Sequence, residues 1–202
     1  MIVDYTFVSL AELDEDGIKR LARLHYAVMP TLLADLGAPM VLRYYQVARL
    51  RPDVIGVCAA SSSGEILGWA LGSPRPDEIH SRLRQPFPWF VVQMLRLTFT
   101  RPFVLMQLIS SLFSSSAGVP EGSVELTYIG VDPSARKRGL GHALLNAFLR
   151  KAREGKYRSA VLSVEEENRE AVALYTRAGF ETTGSLIEGR FRRRRMELIF
   201  RP

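Results

Sequence analysis

The segment Tyr128-Ile129-Gly130-Val131-Asp132-Pro133-Ser134-Ala135-Arg136-Lys137-Arg138-Gly139-Leu140-Gly141-His142 carries the densest chemical signal in the sequence. A β-rich run leads into three consecutive cations and two glycines, and a stretch of helical periodicity follows. The first turn of a helix leaves backbone N–H groups without intrahelical acceptors, and the helix dipole adds partial positive charge there. Glycine at 139 and 141 removes side chains that would hold an anion away from those amides, while Arg136, Lys137 and Arg138 add cationic charge around them. The spacing predicts a seat for a diphosphate or a similar anion. A dinucleotide fingerprint would need glycine where Leu144 stands, and no Gly-Lys-Ser/Thr triphosphate loop is present, so neither nucleotide motif applies. A solvated basic loop is the alternative reading of the same residues.

That loop needs elements to position it. Val3, Tyr5 and Phe7 alternate as in a strand; Asp14 to Asp16 open a helix continued by Ile18, Leu21, Leu24 and His25 and ended at Pro30. Met40 to Leu50 reads as a second helix closed by Pro52. Val54–Ala60 and Ile66–Leu71 form a hairpin around Ser61-Ser62-Ser63-Gly64. Ser123–Val131 is a strand, Arg138–Arg153 a helix, Ser159–Val164 a strand and Asn168–Ala178 a helix with Gly179 as its C-terminal glycine. Glu181 to Phe200 reads as two strands around Glu188-Gly189. Outside about 76–120 the order is β-α-α-β-β-β-α-β-α-β-β, an α/β sheet domain. A chain of 202 residues suits one domain, 1–202, with an apolar helical insertion at about 76–120.

Composition narrows the classes. Lys and Arg number 27 against 21 acids, a net +6 that favours anionic ligands without requiring nucleic acid. A single cysteine, Cys58, excludes an internal disulfide framework and a multi-cysteine metal site; set among Ile55, Val57 and Ala59, it reads as a small buried apolar residue. No secretory leader pattern is read in the opening residues, and a cytoplasmic location is expected. Residues 86–113 are strongly apolar, but Arg96, Arg101, Pro102 and serines interrupt them, so they do not form a membrane span. Two helices, about 88–99 and 103–113, are expected there, as a packed lid, a homodimer contact or a membrane-surface element. Arg190 and Arg192 to Arg195 lie on a terminal strand, where alternate side chains face opposite ways; this reads as a charged edge strand rather than a nucleic-acid surface.

Val131-x-Pro133-x-x-Arg136-x-x-Gly139-x-Gly141 resembles the acetyl-CoA loop of the GCN5-related N-acetyltransferase (GNAT) superfamily. Asn168-x-x-Ala171-x-x-Leu174-Tyr175-x-x-x-Gly179-Phe180 is similar to that superfamily's second motif, and Leu36-Gly37 with Tyr44-Tyr45 resembles the early helices of some members. The resemblance covers about 1–75 and 121–201. It implies a mixed, mostly antiparallel central sheet flanked by helices. It also implies acetyl-CoA as co-substrate without a metal, and a small-molecule or peptide amine as acceptor. In such a protein Ile129, Gly130 and Val131 splay from the neighbouring strand and pair with the pantetheine arm. The amides of Arg136, Lys137, Arg138, Gly139, Leu140, Gly141 and His142 hold the diphosphate. Asn168 contacts the cofactor arm or caps the helix that follows, and either role suits asparagine.

Tyr175 matches the tyrosine placed near the thioester sulfur, where a phenol can protonate the departing thiolate; packing beside Leu174, Ala171 and Phe180 is its alternative role. Glu125 is the leading general base, because an amine acceptor is protonated at neutral pH and even spacing puts Glu125 on the strand face of Ile129 and Val131. A solvent-facing strand residue is the competing reading. Glu165 to Glu167 read as a solvated acidic loop, His25 and Tyr26 are not assigned to catalysis, and an arginine among Arg190 and Arg192 to Arg195 that faces the acceptor pocket could select acidic substrates. Direct transfer in a ternary complex is expected. Another acyl donor, a hydroxyl acceptor, or a silent CoA-binding module remain alternatives.

Overall fold

Period-two alternation sorts the apolar residues of the central strands onto two faces. Val57, Ala59 and Ala70 turn to one side, and Cys58, Trp69 and Leu71 to the other. Each face is covered by helices, so both are buried and the middle of the sheet is almost continuously apolar. The computed structural model describes residues 4–83, 85, 88, 91–93, 95–96, 118–188 and 191–201.

The elements run β1 (Tyr5–Ser9), α1 (Glu15–Val28), α2 (Leu32–Asp35), α3 (Ala38–Arg49), β2 (Ile55–Ser61), β3 (Ile66–Ser73), α4 (Pro76–Leu83), β4 (Ser123–Val131), α5 (Leu140–Glu154), β5 (Ser159–Glu165), α6 (Arg169–Arg177), β6 (Glu181–Glu188) and β7 (Phe191–Ile199). The Asp14 carboxylate caps α1 by accepting from the Gly17 amide at 2.7 Å, and the Thr31 hydroxyl caps α2 through the Ala34 amide at 3.2 Å. Gly179 adopts φ +92 after α6, as a C-terminal glycine should.

The seven strands form one sheet in the order β1-β2-β3-β4-β5-β7-β6. All pairings are antiparallel except β4 with β5. The mixed, mostly antiparallel sheet flanked by helices is therefore the architecture that the sequence implied. One expectation needs correction: the arginine-rich strand β7 is not an edge. It lies between β5 and β6 because its register with β5, Ser159↔Ile199 to Glu165↔Arg193, displaces its hairpin partner outward. Of the two helices expected in the insertion, residues 88, 91–93 and 95–96 are helical. The span 103–113 lies outside the described residues. Among the described residues, no helix is long and apolar enough to cross a membrane.

Helices α5 and α6 cover the first face, where Leu144, Leu145, Phe148, Tyr175 and Phe180 meet Val124, Leu126, Ala160 and Leu162. On the second face Ile18, Leu21, Met40, Tyr44 and Tyr45, from α1 and α3, meet Trp69 and Leu71. A register shift where Leu71 pairs with Tyr128 and Gly72 with Leu126 leaves Thr127 as an extra residue in β4. At Gly72 an added Cβ would fall against the Glu125 carbonyl oxygen and 2.7 Å from Phe148 Cζ. Gly72→Ala is therefore expected to destabilise the protein by about 1–3 kcal/mol, read as a lower urea midpoint at unchanged m-value.

Candidate active site

Strands β4 and β5 pair only from Ser123↔Ser159 to Leu126↔Leu162. Beyond that point β4 continues to Val131 bound to β3, through Gly68↔Val131, and β5 continues to Glu165 bound to β7. The two strands part as a wedge with its apex at Leu126 and Leu162. The bulge at Thr127 sits at the start of this divergence, where an extra residue bends and twists a strand. The Ser123 and Ser159 hydroxyls, 2.8 Å apart, tie the strands together below the apex.

The carboxyl end of β4 delivers the chain to the start of α5. Asp132 accepts from the Ser134 amide at 2.8 Å and so closes a short 3₁₀ turn at Pro133–Ala135. Lys137 (φ +59) and Gly139 (φ +79) are both left-handed, which suits glycine and strains lysine. Gly139 is the N-cap of α5, no side chain caps it, and the first amide to close the helix is that of Ala143, donating to the Gly139 carbonyl at 3.0 Å. Among the described residues, the amides of Leu140, Gly141 and His142 donate to no backbone carbonyl. They form a row of donors at the positive end of a 15-residue helix, an arrangement that suits an oxyanion.

The basic side chains divide their labour. Arg136 folds back so that its Nε donates to the Val131 carbonyl at 3.1 Å, bracing the strand end. Lys137, Arg138 and His142 are exposed at the rim, and His142 Nδ1 lies 3.2 Å from Asn146 Nδ2. Gly130 has a packing duty of its own, since a Cβ there would lie 2.5 Å from the Trp69 ring. Asn168 caps α6 by accepting from the Ala171 amide at 3.1 Å.

Tyr175 lies on the same face as this seat. It is 6% exposed, edge-on to Phe180 at 5.8 Å between ring centres, within the cluster that includes Leu140 and Leu144. Burial pushes its phenol well above the usual value, so the hydroxyl stays protonated in neutral water. Among the described residues that hydroxyl makes no hydrogen bond.

Glu125 does not share the face of Ile129 and Val131. The bulge at Thr127 reverses the parity of β4: Val124, Leu126, Ile129 and Val131 pack toward α5 and α6. Tyr128 and Glu125 come out on the opposite face, beside Tyr44. There Glu125 Oε1 accepts from Arg195 Nη1 at 2.6 Å, and both side chains are largely buried. Arg195 also donates to Ser163 Oγ at 3.1 Å and, from Nη2, to the Gly118 carbonyl at 3.4 Å. The sequence offers an arginine of the run 190–195 to the acceptor pocket without singling out Arg195, and it does not foretell the inversion of Glu125. The basic run 192–195 marked the strand, but no local signal marked the bulge.

Nearby, on the same face, His25 is fully buried, 2.7 Å from the Tyr45 hydroxyl and 3.1 Å from that of Thr31. Its ring stacks on Trp69. Desolvation lowers its pKa to about 4, so it is neutral at pH 7 and serves the core. Cys58 is buried in β2, and desolvation raises its thiol to about 12, too high for a thiolate nucleophile.

The wedge and its donor row thus define a protein that can admit an extended chain through a gap in a sheet while gripping an anion beside it. The sequence pattern of the acetyltransferase (GNAT) family matches residues 22–180, and the chain belongs to that family. Curated relatives include the mycothiol acetyltransferase of Mycobacteroides abscessus, 30% identical over 171 residues (81% of this chain, 54% of that protein). That of Geodermatophilus obscurus is 35% identical over 99 residues (49% of this chain, 32% of that protein). The chain thus spans about half or less of these relatives' length. Among solved structures, the NAA60 protein of Arabidopsis thaliana in complex with acetyl-CoA superposes at TM-score 0.63 with 18% identity, covering 98% of this chain and 99% of that one. The ribosomal-protein-S18-alanine N-acetyltransferase of Escherichia coli superposes at 0.61 with 15% identity, covering 97% and 94%. At those identities the likeness is one of fold.

His25 yields a test of the core beside the wedge. Its folded pKa lies below the unfolded value of about 6.5, so below that pH the unfolded state takes up the proton first and stability falls. Between pH 6.5 and 4 the loss is about 3 kcal/mol. Urea titrations across that range are expected to show this slope, and His25→Gln is expected to flatten it.

Proposed function

We propose that the protein transfers an acetyl group from acetyl-CoA to an amine by direct attack in a ternary complex. The observation that carries this reading is the amide row of Leu140, Gly141 and His142, which among the described residues donates to no backbone carbonyl and follows the strand that borders the wedge. A diphosphate on the row would let the pantetheine arm run along the unpaired edge of Ile129–Val131, with Lys137 and Arg138 at its rim and Asn168 beside the arm. The NAA60 relative in complex with acetyl-CoA supports that cofactor.

The chemistry separates by face. The amine nitrogen attacks the thioester carbonyl and forms a C–N bond. As the C–S bond breaks, the thiolate takes a proton from Tyr175, whose raised pKa keeps that proton available on the α6 side. The proton shed by the amine goes to Glu125 on the opposite face. Backbone amides at the open strand edge can stabilise the tetrahedral oxyanion.

Two measurements test this. Tyr175→Phe is expected to lower kcat for amine-dependent CoA release by about 10²–10⁴-fold while acetyl-CoA affinity stays within twofold. Equal loss of both would mean the ring only packs. Gly141→Ala separates fold from ligand, because its Cβ would sit 3.8 Å from Val131 Cγ2 and 4.0 Å from Leu174 Cδ2, ordinary contact distances. Thermal stability is expected to hold or rise, since glycine is a poor helix former, whereas acetyl-CoA affinity by calorimetry falls at least several-fold. Unchanged affinity would remove the diphosphate from this turn.

A further inference from the structure

Arg195 is 8% exposed in the middle of a strand whose backbone is already paired on both sides. Burying a guanidinium and a carboxylate removes both from water, and a well-packed apolar pair in the same space often leaves a protein equally or more stable. The Glu125–Arg195 pair therefore has little reason to exist for the fold alone. It sits one residue below the wedge apex, on the face opposite the anion seat, the face that the acetyl-transfer reading leaves to the acceptor.

The use of the guanidinium is lopsided. Nη1 serves both Glu125 and Ser163, at 2.6 and 3.1 Å. The Nε–Nη2 edge, whose two parallel N–H groups match a carboxylate, makes one long contact to the Gly118 carbonyl at 3.4 Å, and Nε has no acceptor among the described residues. Beside the pair, the buried hydroxyls of Tyr44 and Thr127 face each other, and Tyr44 also neighbours Glu125.

We propose that Glu125 and Arg195 form an acceptor-specificity site for a zwitterion, an amino acid or similar compound carrying a carboxylate next to its reacting amine. The carboxylate docks on the Nε–Nη2 edge of Arg195 and the ammonium is held by Glu125. Glu125 and Arg195 touch, so a compound reading both must hold its ammonium and carboxylate close together, as on the single α-carbon of an amino acid. This rests on the acetyl-transfer reading for the face the acceptor uses.

The experiment compares matched amines with and without the carboxylate, L-phenylalanine against 2-phenylethylamine and L-alanine against ethylamine, in CoA release by the full chain. Amino acids are expected to lead by about 10- to 100-fold in kcat/KM, as charge-assisted hydrogen bonds permit. Arg195→Lys should shrink that ratio while acetyl-CoA affinity is kept, which reports an intact fold; the charge-neutral double variant Glu125→Gln/Arg195→Met is read by calorimetry on the CoA-loaded protein, where it should bind both members of a pair alike. Equal turnover of both members of a pair, or a ratio unchanged in Arg195→Lys, overturns the zwitterion site and leaves acetyl transfer standing. Should no amine turn over while acetyl-CoA binds, the acetyl-transfer reading falls. Calorimetry of the same pairs on the CoA-loaded protein then decides the carboxylate site by itself: amino-acid binding abolished by Arg195→Lys supports it, and its absence overturns it.

Discussion

The parting of β4 from β5 is the constraint on which the rest depends. Every other neighbouring pair of strands follows its partner along most of its length, but these two separate after Leu126 and Leu162. Unpaired strand edges are costly to bury and hazardous to expose, so a gap inside a sheet is kept open only when something else holds its two sides. Here β3 holds one side as far as Val131, and β7 holds the other as far as Glu165. The arrangement leaves backbone groups available to a ligand while the surrounding layers stay packed.

The wedge also divides the chemistry. An amide row, the α5 dipole and a buried phenol gather on the α5–α6 face, where negative charge would be gripped and a leaving group protonated. An ion pair and buried hydroxyls gather on the α1–α3 face. The device that assigns Glu125 to the second group is a single extra residue, Thr127. One inserted position in a strand exchanges the faces of everything beyond it.

That device marks the limit of what the sequence could reveal. The strand and helix boundaries were legible to within a few residues because alternation, capping and glycine signals are local: Asp14 before α1, Gly139 before α5 and Gly179 after α6 all take the roles their types suggest. The anion row was legible for the same reason, since it is built from consecutive residues. The face of Glu125 was not, because regular alternation was the only rule available and the bulge breaks it without a glycine or proline to announce it. The partnership of Glu125 with Arg195 spans 70 residues and depends on β7 entering the sheet beside β5. The same misjudged order made β7 look like an edge.

The interior place of β7 also bears on how the chain assembles. Once β4, α5 and β5 have been made, β5 still lacks its antiparallel neighbour, and α6 and β6 are synthesised before β7 arrives to fill that side. The edge of β5 therefore lacks its antiparallel neighbour until the chain between Glu165 and Phe191 has been added, the kind of interval in which strand exchange between copies begins. The clustered arginines of β7 discourage that late strand from pairing with another copy before it docks on β5, so its charge guards its own insertion.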